Sequence, residues 1–182
     1  MPQTVGPLLE AGAELNLVDN GGHTALSIAA ANGQAEIVRA LVEAGAELNV
    51  ANHAGCHALS MAAHNGHADV MRILLDAGAA VNATNDDGET ALFGAVRCPR
   101  AECVRMLLQA GVDVDHASNE GRPALYEAVG MCCDSMQALW DLEHGSWGGS
   151  EIVQALVEAG ADLDQVLRLV ESDGGFFGIY VS

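Results

Sequence analysis

Between Thr24 and Asn49 the chain reads TALSIAAANGQAEIVRALVEAGAELN, and its apolar positions fall into two short clusters. Leu26, Ala29 and Ala30 predict a short helix with small residues on its buried side, which lets neighbouring backbones approach, and Gly33 ends it. Ile37, Val38, Leu41 and Val42 then stand at i, i+1, i+4 and i+5, a stripe one helix face wide, with Gly45 as a left-handed stop. Thr24 is placed to cap the first helix through its hydroxyl. Neither helix can bury its apolar side alone.

The pattern repeats. Gly-x-[Thr/His/Pro]-Ala-Leu begins at Gly22, Gly55, Gly88 and Gly121, a step of 33 residues each time. A second marker, Gly-[Ala/Val]-x-[Leu/Val]-[Asn/Asp], falls at Gly12, Gly45, Gly78 and Gly111 with the same step, then at Gly160 after 49 residues, one period plus an insertion of 16. Thr90 stands where Thr24 does and is expected to cap in the same way, while Pro123 brings a fixed φ suited to a helix start. Helix pairs that bury their apolar sides only against neighbours make a solenoid.

These units resemble the ankyrin repeat family. Its pattern of a turn Gly, Thr-Pro-Leu-His, Ala-Ala, Gly-His, an Ile-Val/Leu-Leu helix and Gly-Ala-Asp-Val-Asn is matched by TALSIAAANGQAEIVRALVEAGAELN, HALSMAAHNGHADVMRILLDAGAAVN and TALFGAVRCPRAECVRMLLQAGVDVD. PALYEAVG with EIVQALVEAGADLD matches more loosely, so the resemblance runs from about Leu8 to Asp164. It implies an all-α ankyrin-repeat solenoid with short β-hairpin or loop tips, in one domain over 1–182. A partial unit, 1–18, precedes full units at 19–51, 52–84, 85–117 and 118–164, and a cap and tail occupy 165–182. Two departures stand out. The family's Pro is Ala25, Ala58 and Ala91, and its His after Leu is Ser27, Ser60, Phe93 and Tyr126, so a polar turn-stabilising bond is expected to be lost in every unit.

The ends and the fourth unit break the pattern. Leu8 and Leu9 resemble the end of an outer helix with no inner partner, either a short frayed cap or a sign that the chain is a fragment. The insertion, about 130–149, carries Met136, Leu139 and Trp140 at helical spacing after Asp134, a plausible cap, followed by a loop holding Trp147. Trp140 is expected to cover the last unit's apolar side, with a partner-binding anchor as the alternative. Gln165 to Val170 predict one capping helix before the apolar GGFFGIYVS.

Charge then narrows the partners. A net −18, from 25 acidic residues against 7 basic ones that are all Arg, opposes nucleic acid and anionic membranes and steers basic partners inward. Neither a signal peptide nor a membrane span is apparent, which makes the cytoplasm, or the nucleus, the expected compartment, and the chain is expected to be a monomer. Five Cys at irregular places do not read as a secreted disulfide framework.

Chemistry-bearing motifs are scarce. GxxxxGK[ST], GxGxxG after a strand, HExxH and GxSxG are all missing, and neither a catalytic residue nor a cofactor is expected. His53, Cys56, His57, His64 and His67 form the densest set of potential metal ligands, yet their repeat register favours structural or surface roles. Cys98 with Cys103, and Cys132 with Cys133, lack tetrahedral ligand spacing.

The resemblance implies a non-enzymatic protein-interaction module whose recognition residues lie beside the turn Gly and at the end of the inner helix. Carried over, the expected partner-binding residues are His23, His53, His64, Asp86, Asp87, Glu89, Arg97, Glu120, Arg122 and, on the insertion, Trp147; Asn20, Asn32, Cys56, Asn65, Cys98 and Asn119 share their positions. A basic segment is expected to lie across units three and four, guided by Asp86, Asp87 and Glu89. Two alternatives stand beside this. Asn49 and Asn82 occupy contexts resembling substrates of asparaginyl hydroxylases, and the array could be the targeting fragment of a larger multidomain enzyme.

Overall fold

The computed structural model describes residues 6–7, 12–98, 100–131 and 151–172. Inner helices of seven residues alternate with longer outer ones: α1 (Ala25–Ala31), α2 (Ala35–Glu43), α3 (Ala58–His64), α4 (Ala68–Asp76), α5 (Ala91–Arg97), α6 (Ala101–Gln109), α7 (Ala124–Gly130) and α8 (Glu151–Glu158), followed by α9 (Leu163–Ser172). Inner helices stack on inner helices in the order α1, α3, α5, α7, outer ones in the order α2, α4, α6, α8, and α9 packs on α7. Among the described residues there is no sheet, only isolated antiparallel bridges at Val18–Thr24 and Ala117–Pro123.

The core follows the two apolar stripes. Leu26, Leu59, Leu92 and Leu125, one step apart, are all buried, as are the Ala pairs Ala29–Ala30 and Ala62–Ala63. Outer helices add Val38 and Leu41, then Val70 and Leu74, then Val104 and Leu107. Each buried Leu or Val contributes about 1.5–3 kcal/mol relative to exposure. In the first unit Leu17, Val18 and Ile28 are exposed. Leu8 and Leu9 lie outside the described residues, as do the insertion from Cys132 onward with Cys133, Trp140 and Trp147, and the GGFFGIYVS tail.

Helix ends show where register and local chemistry part. Thr24 caps α1 as expected, its Oγ1 accepting from the Ser27 amide at 3.1 Å. Thr90 does not cap α5. The Phe93 amide instead donates to the Thr90 carbonyl at 3.2 Å, tightening the first turn, and Thr90 Oγ1 is left buried with no hydrogen-bond partner. The turn-stabilising bond expected to be lost in every unit is kept in two. Ser27 Oγ donates to the Thr24 carbonyl at 3.0 Å, and Ser60 Oγ accepts from the His57 amide at 3.0 Å while donating to its carbonyl at 2.9 Å. Phe93, with no polar side-chain atom, cannot make it. Outer helices stop as the glycines predict. At Gly45 (φ 87°) the Ala46 amide reaches the Leu41 carbonyl and the Gly45 amide that of Val42, both at 3.0 Å, a Schellman stop that only a residue without Cβ takes freely.

A side-chain ladder ties units together. Asn16, Asn49, Asn82 and Asp115 each accept, through Oδ1, the amide of Glu47, Ala80, Asp113 and Asp162, at 2.9, 2.9, 2.8 and 2.7 Å. Asp162 in turn accepts the Gln165 amide at 3.0 Å, starting α9 two residues before the predicted cap, and Val166 and Val170 are buried.

Candidate functional site

The first three turn tips are each organised by a carboxylate or carboxamide three residues before the glycine, where the fourth has Ser118. Asp19 Oδ1 accepts the amides of Gly21 and His23 at 2.8 and 2.9 Å, Asn52 those of Ala54 and Cys56 at 3.0 and 2.9 Å, and Asn85 those of Asp87 and Glu89 at 3.0 and 2.8 Å. The His23 and Gly21 amides hold the exposed Asp19 carboxyl below its ordinary range. Tips then pair along the array: the amides of His53, Asp86 and Asn119 donate to the carbonyls of Gly21, Ala54 and Asp87 at 3.0, 3.1 and 2.9 Å. Gly22 (φ 79°) admits this approach, since a Cβ there would stand 2.7 Å from the His53 ring. The repeated Asp/Asn/Asn at 19, 52 and 85 was the legible signal for these turn-holding residues, which the sequence reading passed over.

Several expected recognition residues are committed to neighbours. His23 Nδ1 stands 3.2 Å from Asp19 and its Nε2 3.0 Å from Asn52 Nδ2, so the neutral tautomer donates through Nδ1 and accepts through Nε2. Asn32 and Asn65 donate back to the carbonyls of Ile28 and Met61 at 2.8 and 2.9 Å, closing α1 and α3. Cys98 is buried and offers no recognition surface, a correction; the register puts it at the helix end, but the chain turns there and packs its Sγ beside Gly66. His53 and His64 remain exposed on the tip and inner-helix side, as do Asp86 and Asp87. Trp147 lies outside the described residues.

Glu89 is the main correction. It does not stand free to steer a ligand, because Arg97 folds back from the end of α5 and donates to it through both terminal nitrogens, Nη1 at 2.8 Å. Arg97 Nε also reaches Glu127 Oε2 at 3.3 Å, joining units three and four. Arg97's hydrogen bonds hold the Glu89 carboxyl below its ordinary value, and Glu89 raises Arg97 further. Beyond this bridge, Arg122 pairs with Glu120 at 2.8 Å and lies 5.0 Å over the Tyr126 ring.

Two hollows open beside the bridge. One, of about 480 Å³ between units three and four, is lined by Asp87, Glu89, Glu120 and Glu127 with Arg97, Ser118 and Asn119. The other, of about 320 Å³ between α3 and α5, includes Asn52, Cys56, Met61, His64, Thr90 and Gly94 and shares Glu89 and Arg97 with the first. Glu127 is the unit-four counterpart of Ile28, Met61 and Gly94, an inner-face row the sequence reading did not follow.

The potential metal ligands are turned to separate tasks. His67 Nε2 meets the Ala31 carbonyl at 3.0 Å, and Arg100, one step later, donates to that of Gly66 at 3.0 Å. Burial depresses the His57 imidazole and raises the thiols of Cys56 and Cys103, Cys56 despite an easing hydrogen bond with Asn85. Among the described residues no three His, Cys, Asp or Glu side chains are set to share a metal ion. Asn49 and Asn82 are exposed and belong to the inter-unit ladder.

Stacked helix pairs with paired tips define a repeat scaffold that presents a surface rather than an enclosed site. A family model described as ankyrin repeats (3 copies) matches residues 1–85 and again 59–166, and the chain belongs to the ankyrin repeat family. Comparison with curated proteins gives no match. Ankyrin repeats are generally protein–protein interaction modules and typically non-enzymatic, which makes a protein the partner class. No helix among the described residues is long and apolar enough to cross a membrane.

Proposed function

We propose that this protein recognises a basic segment of a partner protein across units three and four, on the side formed by the tips and inner helices. The observation that carries the reading is the 480 Å³ hollow in which Asp87, Glu89, Glu120 and Glu127 outnumber the guanidinium of Arg97. Arg97 neutralises Glu89 and Arg122 pairs with Glu120, so the attraction rests on the exposed Asp87, on the shared Glu127, and on Asp86 beside them. A Lys or Arg side chain entering there meets carboxylates already held in place, and the net −18 of the chain supports its approach.

The test uses nonapeptides with a fixed central Arg, binding followed by stopped-flow fluorescence. Screening shrinks from about 10 Å at 0.1 M salt to about 3 Å at 1 M, so the association rate is expected to fall roughly ten-fold or more over that range. The triple variant Asp87→Asn, Glu120→Gln, Glu127→Gln should bind weakly and lose the salt dependence. Equal binding by wild type and variant, or by peptides with Ala in place of Arg, would overturn the reading.

A further inference from the structure

The bridge from Arg97 to Glu89 and Glu127 is not something the repeat requires. At the register position of Arg97 the other units carry Ala31, His64 and Gly130, and at that of Glu127 they carry Ile28, Met61 and Gly94. Helices α1 and α3 stack closely with none of these charges between them. Three charged side chains therefore meet where α5 faces α7 although stacking alone does not call for them.

The two arms of the bridge are unequal. Glu89 takes both terminal nitrogens of Arg97, accepts from Asn85 Nδ2 at 3.4 Å as well, and its side chain is 16% exposed. Glu127 takes only Nε, at 3.3 Å, and is 29% exposed. A single long contact to the more exposed carboxylate is the arm that yields first. Arg97 is also the cation among the side chains that line the acidic hollow, so it holds Glu127 in the way an incoming Lys or Arg would.

We infer that Arg97 is a built-in competitor for the partner's basic side chain: the guest takes Glu127 from Arg97, with Asp87 in the same hollow, while Arg97 stays on Glu89. This rests on the reading of the hollow as the site of a basic segment and adds what sets the affinity there. Arg97 weakens binding twice, by occupying Glu127 in the free protein and by leaving a like charge next to the guest. The residue that ties units three and four together thus does so at the expense of the partner.

Fluorescence polarisation at low salt tests this, with the central-Arg nonapeptides and their central-Ala counterparts on wild type, Arg97→Met and Arg105→Met. Arg105 pairs with Glu151 at 3.3 Å between the outer helices, so its variant makes the same change in net charge away from the hollow. An ion pair of such exposure is worth up to about five-fold in an equilibrium constant. Arg97→Met should accordingly bind the Arg peptides about five-fold more tightly than wild type, and Arg105→Met should stay within about two-fold of it. Arg97→Gln should match Arg97→Met, and serves in its place if circular dichroism shows the Met variant folding poorly. Adding Glu127→Gln to Arg97→Met should remove most of the gain. Arg-dependent binding in which Arg97→Met is no tighter than Arg105→Met, or a gain that survives Glu127→Gln, would overturn this inference and leave the basic-segment reading standing. Equal binding of Arg and Ala peptides by wild type would overturn both.

Discussion

Thr24 and Thr90 occupy the same position one fold-repeat apart twice over, yet replacing each by Val should move stability in opposite directions. At Thr24 the substitution removes a cap bond of 3.1 Å to the Ser27 amide and a hydroxyl that is 3% exposed as part of its residue, a loss of about 1 kcal/mol. At Thr90 no bond is lost, since Oγ1 has none, and a buried unsatisfied hydroxyl becomes a methyl. That change should stabilise by about 1 kcal/mol, the lower end of the cost of leaving such a group unpaired. Both sites have extended backbone, φ −84° and −79°, so the intrinsic preferences of Val are shared and cancel in the comparison. The two variants should therefore differ by about 2 kcal/mol. Urea unfolding followed by far-ultraviolet circular dichroism reads the difference directly, provided the slopes agree. Heating should separate their midpoints by roughly 4–8 °C for a chain of this size. If Thr90→Val destabilises the protein as much as Thr24→Val does, the Thr90 hydroxyl has a partner and the capping account loses its basis.

Two further outcomes follow from the bridges between units. Arg97→Met removes a guanidinium that serves both Glu89 and Glu127; the groups are partly exposed, so solvent limits the expected loss to about 1 kcal/mol at pH 7. The Glu89 carboxyl titrates below its ordinary 4.5 in the folded chain, so the pair's contribution is full above that value and is lost as pH falls through the depressed one. The stability gap between wild type and Arg97→Met should accordingly close as pH falls below 4.5 in urea titrations, and a gap independent of pH would count against the pairing. Asn82→Ala removes the acceptor of the Asp113 amide, at a cost of about 1 kcal/mol, and hydrogen exchange should quicken at Asp113 while the Ala80 amide, held by Asn49, keeps its protection.

The repeat architecture was legible because stacking imposes period on sequence. A helix pair of this size buries its apolar side only against a copy of itself, so Leu26, Leu59, Leu92 and Leu125 recur at the same step, and Gly45 and Gly78 recur where the chain must turn left-handed. Those residues needed no coordinates to be read as core and stops. The turn-holding Asp19, Asn52 and Asn85 and the ladder through Asn16, Asn49, Asn82 and Asp115 were equally periodic, and only their hydrogen-bond partners, lying in the turn or in the next unit, awaited the structure.

What register alone did not determine is how side chains at equivalent positions spend their polar groups. Thr24 and Thr90 share a register and differ in bonding, because the first turn of α5 closes on the Thr90 carbonyl. Glu89 reads as a free acid in the sequence, but Arg97, eight residues later, returns over the tip and Glu127 joins from the next unit. Fold class depends on an average over many weak, repeated contacts, which a periodic pattern records. The candidate site depends on single pairings across units, where one bond made or missed changes the charge and shape presented, and only the stacked structure decides those.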